Sequence, residues 1–202
     1  PEEVIAFDTG PGNMVMDAIA QELFHQPYDK HGRIAAHGKV LNGVIETFLK
    51  HPFFRTKPPR TAGREEFGRQ FTAEFIQRCK KQRGARPEDI LATATALSAS
   101  SIESSLRRFV LPGAKHGNQK FSDFIVSGGG ARNQTLMKMI AECVLRMGLK
   151  LSTTETFGMP SETKEAIAFA LLAYRTWNRE AGNMPAATGA RKPAILGKIS
   201  FP

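Results

Sequence analysis

The segment Phe7-Asp8-Thr9-Gly10-Pro11-Gly12-Asn13-Met14 constrains the fold more than any other part of the chain. Before it, Val4-Ile5-Ala6-Phe7 reads as a strand. After it, apolar residues at 15, 16, 19, 20 and 23 mark one face of a helix from Asn13 to Leu23. A strand that ends in a carboxylate, turns through Gly-Pro-Gly and opens a helix places that carboxylate where sheet proteins hold their ligands. The same order recurs downstream. Phe121 to Ser127 reads as a strand, Gly128-Gly129-Gly130 as a turn, and a helix follows from Arg132 or Asn133 to about Arg146. Leu149 to Thr153 is a further strand, and Ser161 to Arg179 a further helix. This alternation predicts a layered α/β domain with a largely parallel sheet. Three strands make that sheet thin.

Between these units the chain is helical. Residues 39–50 carry Val40, Leu41, Val44, Ile45, Phe48 and Leu49 at helical spacing. His51 to Pro59 reads as an extended loop, because each proline biases its predecessor away from helix. A helix is expected from Gly63 to about Lys81, its acidic start and basic end matching the helix dipole. Another runs from Pro87 to about Val110. Its Ala, Ser and Thr content predicts close packing against a neighbour. A loop is expected over 111–119, and the tail from Gly182 is read as irregular.

The net charge of +9 favours anionic partners. Its densest cluster, Arg78, Lys80, Lys81, Arg83 and Arg86, has no interleaved aromatic residues and reads as a solvated helix end, so no nucleic-acid partner is expected. No window reaches the ~18 apolar residues of a membrane span, so no membrane partner is expected either. Without a signal segment, Cys79 and Cys143 read as reduced thiols of a cytoplasmic protein, and neither has a partner at zinc-ligand spacing. No protein-held metal is expected.

Four groupings could carry chemistry. Asp8 can take a proton from a hydroxyl or hold a magnesium ion, or it can simply cap the helix or close an Asx turn. Ser127-Gly128-Gly129-Gly130-Ala131 with Asn133 suits a nucleotide, whose ring or phosphate can lie on backbone free of side chains; a tight strand-to-helix turn explains it equally well. Arg60 and Arg64 could hold an anion, or belong to an ordinary loop capped by Thr61. Glu162 and Glu165 open a helix, where the dipole favours acids in any case.

Taken in order, these motifs resemble the anhydro-N-acetylmuramic acid kinases over nearly the whole chain. The resemblance rests on Phe7-Asp-Thr-Gly-Pro-Gly-Asn13 with Met16-Asp17, and on Tyr28-Asp29 with Gly32, Ala35 and Gly38. It continues through His51-Pro-Phe-Phe54, Pro58-Pro-Arg-Thr-Ala-Gly-Arg-Glu65 and Ser127-Gly-Gly-Gly-Ala-Arg-Asn133. Lys164-Glu-Ala166, Phe169-Ala-Leu-Leu-Ala173, Pro185 and Thr188-Gly-Ala190 complete it.

The resemblance implies a helix-rich ribonuclease-H-like ATPase lobe of the sugar kinase, Hsp70 and actin fold group. It implies ATP with magnesium, and an anhydro-amino-sugar whose 1,6-anhydro bond is hydrolysed and whose 6-hydroxyl is phosphorylated in cell-wall recycling. Asp8 is then the general base, Glu165 faces the sugar, and Gly128, Gly129, Gly130 and Asn133 line the adenosine pocket. Two departures stand out. The family's usual Pro-Lys-Ser-Thr-Gly-Arg-Glu reads Pro59-Arg60-Thr61-Ala62-Gly63-Arg64-Glu65, and residues 112–119 look like an insertion.

The family's N-terminal lobe, with its phosphate loop, and the hairpin before the Asp8 strand are not in this sequence, which begins at Pro1. Residues 1–184 are therefore expected to form a second kinase lobe that is incomplete at its start and inactive alone. Residues 185–202 are expected to return to the N-terminal lobe. The alternative is a non-catalytic nucleotide-binding module that pairs its open sheet edge with another chain, for instance as a homodimer.

Overall fold

A computed structural model describes residues 4–112, 121–160 and 163–200. Glu162 and most of the 111–119 loop lie outside these residues. The architecture is helix-rich α/β. Its helices are α1 (Met14–Phe24), α2 (Asn42–Phe48), α3 (Pro52–Arg55), α4 (Arg64–Phe67), α5 (Arg69–Lys80) and α6 (Pro87–Ser105). They are followed by β1 (Asp123–Val126), α7 (Gln134–Leu145), β2 (Lys150–Thr153), α8 (Lys164–Trp177) and α9 (Pro185–Thr188). The two strands pair in parallel, with Phe124 opposite Leu151 and Val126 opposite Thr153. α7 is the crossover between them, as parallel pairing requires.

α6 is the centre of the fold. Pro87 stands in its first turn, and Asp89 closes the turn by accepting from the Arg86 N–H at 2.9 Å. From Ile90 to Ala99 every residue is buried, in contact with α1, α2 and α7. The small side chains expected to allow close packing do so. Thr93 and Thr95 return their hydroxyls to the carbonyls of Asp89 and Leu91, at 2.6 and 2.9 Å, so their burial leaves no polar atom stranded. A second cluster of rings fills the space between α2, α3, α4 and α5. Phe48, Phe53, Phe67, Phe71 and Phe75 meet edge to face with centroids 4.9–5.1 Å apart.

Three expectations fail. Val4–Phe7 forms no strand among the described residues, and Val4 and Ile5 are exposed. A strand is stabilised by its cross-strand neighbours, and among the described residues none pairs with this segment. The helix expected from Gly63 to Lys81 breaks at Gly68, whose backbone is extended at φ −86°, ψ −150°; a Cβ there would lie 2.0 Å from the Arg64 carbonyl oxygen. Finally, the extended loop after His51 contains the single turn of α3, capped by the His51 ring accepting from the Phe53 N–H at 3.4 Å.

Candidate active site

Asp8 stands just before α1, and its side chain is exposed. It does not cap α1. The N-cap position is Asn13, which makes no side-chain cap bond. The Asp8 carboxylate instead accepts from the Ala62 N–H, Oδ2 to N 2.6 Å. Its main chain is tied to the same segment: the Asp8 N–H donates to the Arg60 carbonyl at 3.0 Å, and the Arg60 Nε–H donates to the Asp8 carbonyl at 2.9 Å. An exposed carboxylate oriented by one amide keeps acceptor capacity for a water or a cation. Ala62 lacks the hydroxyl of the usual Pro-Lys-Ser-Thr-Gly-Arg-Glu pattern, but the bond to Asp8 comes from its backbone.

The turn after Asp8 is built for close approach. A Cβ on Gly10 would lie 2.4 Å from Ser101 Oγ, and Gly12 has φ +54°. Ser98 of α6 donates to the Gly12 carbonyl at 2.7 Å and fixes the start of α1 against the core.

The second glycine turn meets the first. Gly128 has φ +91°, a conformation that excludes most side chains. Gly130 approaches Asn13 so closely that a Cβ would lie 3.3 Å from its Oδ1. Asn133 caps α7 by accepting from the Leu136 N–H at 2.9 Å. Between the two turns opens a cleft of about 530 Å³. Asn13, Met16 and Asp17 line one wall, and Gly129, Arg132 and Asn133 another. The third is the loop Tyr28 to His31. That loop is held by Asp29, whose carboxylate accepts from the N–H groups of Ile34 and Ala35, both at 2.9 Å. Thr135 donates to the Gly32 carbonyl at 2.7 Å and joins the loop to α7.

The cleft has the size of a small-molecule site. Lys30 and Arg132 supply positive character. Burial raises the Asp17 carboxyl above its ordinary value. Ser127 Oγ, beside the glycine turn, is buried with no hydrogen-bond partner among the described residues. Among the described residues no three His, Cys, Asp or Glu side chains gather as a metal site.

Of the residues singled out from sequence, Gly129 and Asn133 line the cleft, and Gly128 and Gly130 shape its turn. Asp8 lies five residues before Asn13 but outside the cleft lining. Glu165 is exposed in the first turn of α8.

Arg60 corrects its expected role. It is buried, and its guanidinium donates to the carbonyls of Phe53 and Thr56, at 3.1 and 2.8 Å, and to Ser105 Oγ at 3.0 Å. No part of it is offered to an external anion. Burial, with Arg108 nearby, lowers its pKa from the ordinary value, while Asp8 opposes the shift. Asp17, Tyr28, Lys30 and His31 were not among the predicted site residues. Asp17 and Tyr28 fall within the family-like motifs, whereas nothing in the sequence marks Lys30 or His31.

Residues 1–202 match the family described as Anhydro-N-acetylmuramic acid kinase. Proteins named anhydro-N-acetylmuramic acid kinase from Bacillus cereus strains G9842 and AH187 are 43% and 42% identical to it. One from Bacillus thuringiensis subsp. konkukian (strain 97-27) is 40% identical. Each alignment covers 100% of this chain and 50% of the relative, so the chain spans about half the length of the curated relatives it matches. The chain belongs to the anhydro-N-acetylmuramic acid kinase family.

Proposed function

We propose that these 202 residues are the base-bearing, nucleotide-binding half of an ATP-dependent kinase that opens the 1,6-anhydro bond of anhydro-N-acetylmuramic acid and phosphorylates the released 6-hydroxyl. The observation that carries this reading is the meeting of the two glycine turns around one cleft, with Asp8 held at the head of the same segment. The fold is read as the second, ribonuclease-H-like lobe of such an enzyme (residues 1–184). The tail from Pro185 returns to the remaining half of the longer protein, which works in the cytoplasm.

The residues present fit a nucleotide. The backbone of Gly128 to Gly130 accepts a flat base or ribose without a side chain in the way. Lys30 and Arg132 offset its negative charge. Bound ATP supplies the phosphoryl group, and magnesium accompanies its phosphates with one or two carboxylates rather than a protein cage.

Asp8 receives the proton of the water that attacks the anomeric carbon. It must lie within hydrogen-bond reach of that water, and its exposed position allows the approach. Ala62 fixes one carboxylate oxygen so that the other faces the substrate. Glu165 meets the sugar once the other half is in place. Apart from that half, the chain binds ATP weakly and turns over no sugar, because the loops that hold the transferred phosphate belong to the other half.

The test is nucleotide binding by the 202-residue chain. A Cβ on Gly129 meets nothing closer than Asn13 at 3.9 Å, so Gly129→Val fills the cleft without breaking the turn. Fluorescent ATP analogue binding is expected to weaken about tenfold or more, a loss of about 1.4 kcal/mol. Unchanged binding would remove the cleft from the nucleotide site.

A further inference from the structure

Arg60 is the most heavily bonded buried side chain near Asp8, and the reading above gives it no task. Its partners reach far apart in sequence: the Asp8 carbonyl, the carbonyls of Phe53 and Thr56 around α3, and Ser105 at the end of α6. Three rings enclose the guanidinium, with centroids 4.7 Å (Phe53), 5.3 Å (Phe109) and 5.6 Å (Phe7) from its central carbon. Phe109 is supplied by a π-helical turn over Leu106–Val110 that continues α6. Phe7 is the residue next to Asp8.

We infer that Arg60 is a positioning residue for Asp8; the inference rests on the reading of Asp8 as the base. Two bonds run in opposite directions between Arg60 and Asp8, residues 52 apart in sequence. A third, from the Ala62 N–H to the Asp8 carboxylate, comes from the same short segment. Main chain and carboxylate are thereby referred to one frame, and the frame is nailed to α3 and α6 by the other ends of the guanidinium. Only a planar fork of five donors can reach these acceptors together. A lysine ammonium, with three donors about one point, can satisfy some of them but not the set. The effect on chemistry follows from geometry, since displacement of a catalytic group by about 1 Å can cost about a hundredfold in rate.

The test uses the full-length protein with Arg60→Met, Arg60→Lys, Asp8→Asn and the double variant D8N/R60M. Arg60→Met is expected to lower kcat about a hundredfold while KM for ATP stays within about twofold, and Arg60→Lys to recover part of the loss. A residue that acts through Asp8 adds nothing once Asp8 is gone, so D8N/R60M is expected to be no slower than D8N. An independent readout is the Ala62 amide proton in 15N-labelled protein. Its short bond to the carboxylate holds it downfield, and it is expected to move upfield in both Arg60 variants as it does in Asp8→Asn. Losses that multiply in the double variant, or an Ala62 resonance unmoved in the Arg60 variants, would overturn the inference. Where Arg60→Met does not fold, Arg60→Lys and D8N/R60K carry the same comparisons. If Asp8→Asn is as active as the parent, the base reading fails, while the amide proton still decides whether Arg60 positions Asp8.

Discussion

Single residues in this chain carry charge in two different ways, and the hydrogen bonds tell them apart. Asp89 is buried and accepts from the N–H groups of Arg86 and Lys39, at 2.9 and 2.7 Å, and from the Arg86 guanidinium. These bonds, the Arg86 N–H foremost, hold its carboxyl down at about 2. The folded pKa lies below the unfolded value of about 3.9. The contribution to stability is therefore complete above about pH 4 and is lost as pH falls towards 2. Asp89→Asn is expected to lower Tm by about 3–6 °C at neutral pH and to flatten the decline in Tm between about pH 4 and 2 in a thermal series. A parallel decline in both proteins would rule this out. Asp8 is the opposite kind of residue: exposed, with its carboxylate bonded to a single amide. Because that amide belongs to the backbone, Ala62→Ser is expected to leave kcat of the full-length protein within about threefold. A larger change would mean that the side chain at 62 governs Asp8.

At the scale of elements, what was legible is what local sequence determines. The periodicity of α1, α6 and α7, the paired strands β1 and β2, and both glycine turns all appear where the pattern put them. What was not legible depends on partners distant in the chain. Val4–Phe7 has strand composition but no neighbouring strand. The positive charge of Arg60 is plain in the sequence, but the rings of Phe7, Phe53 and Phe109 that enclose it are brought together only by the fold. Gly68 broke an otherwise continuous helical pattern: its backbone is extended and lies too close to the Arg64 carbonyl for any side chain. α8 shows the same dependence in reverse. Its pattern is strongly helical, yet none of its side chains is buried, with Phe169 at 71%, Trp177 at 69% and Tyr174 at 62% exposure. Apolar exposure on that scale marks a contact surface. The 202-residue chain is expected to self-associate as its concentration rises in sedimentation velocity, and the double variant F169S/W177S to stay monomeric. Equal behaviour of the two would show that α8 is not the adhesive face.

At the scale of the molecule, the chain brings its two glycine turns together and leaves the apolar residues of α8 and the tail exposed. That division fits a chain that spans about half the length of the relatives it matches. The cleft is walled on three sides and Asp8 is held by the 60–62 segment, whereas α8 and the tail pack on each other, Thr176 donating to the Leu196 carbonyl, with their apolar side chains left exposed. The glycine turns that shape the cleft were legible, because they depend on turn chemistry that lies within a few residues. The third wall of the cleft, from Tyr28 to His31, was not singled out, because it reaches the site through Thr135 and Asn133, a hundred residues away. The measurement that bears most directly on this account is ADP release that depends on anhydro-N-acetylmuramic acid. It should be made for the full-length protein, its Asp8→Asn variant and the 202-residue chain alone. The full-length protein is expected to turn over, Asp8→Asn to fall by about a thousandfold, and the isolated chain to show no sugar-dependent release. Turnover by the isolated chain, or full activity of Asp8→Asn, would contradict the account.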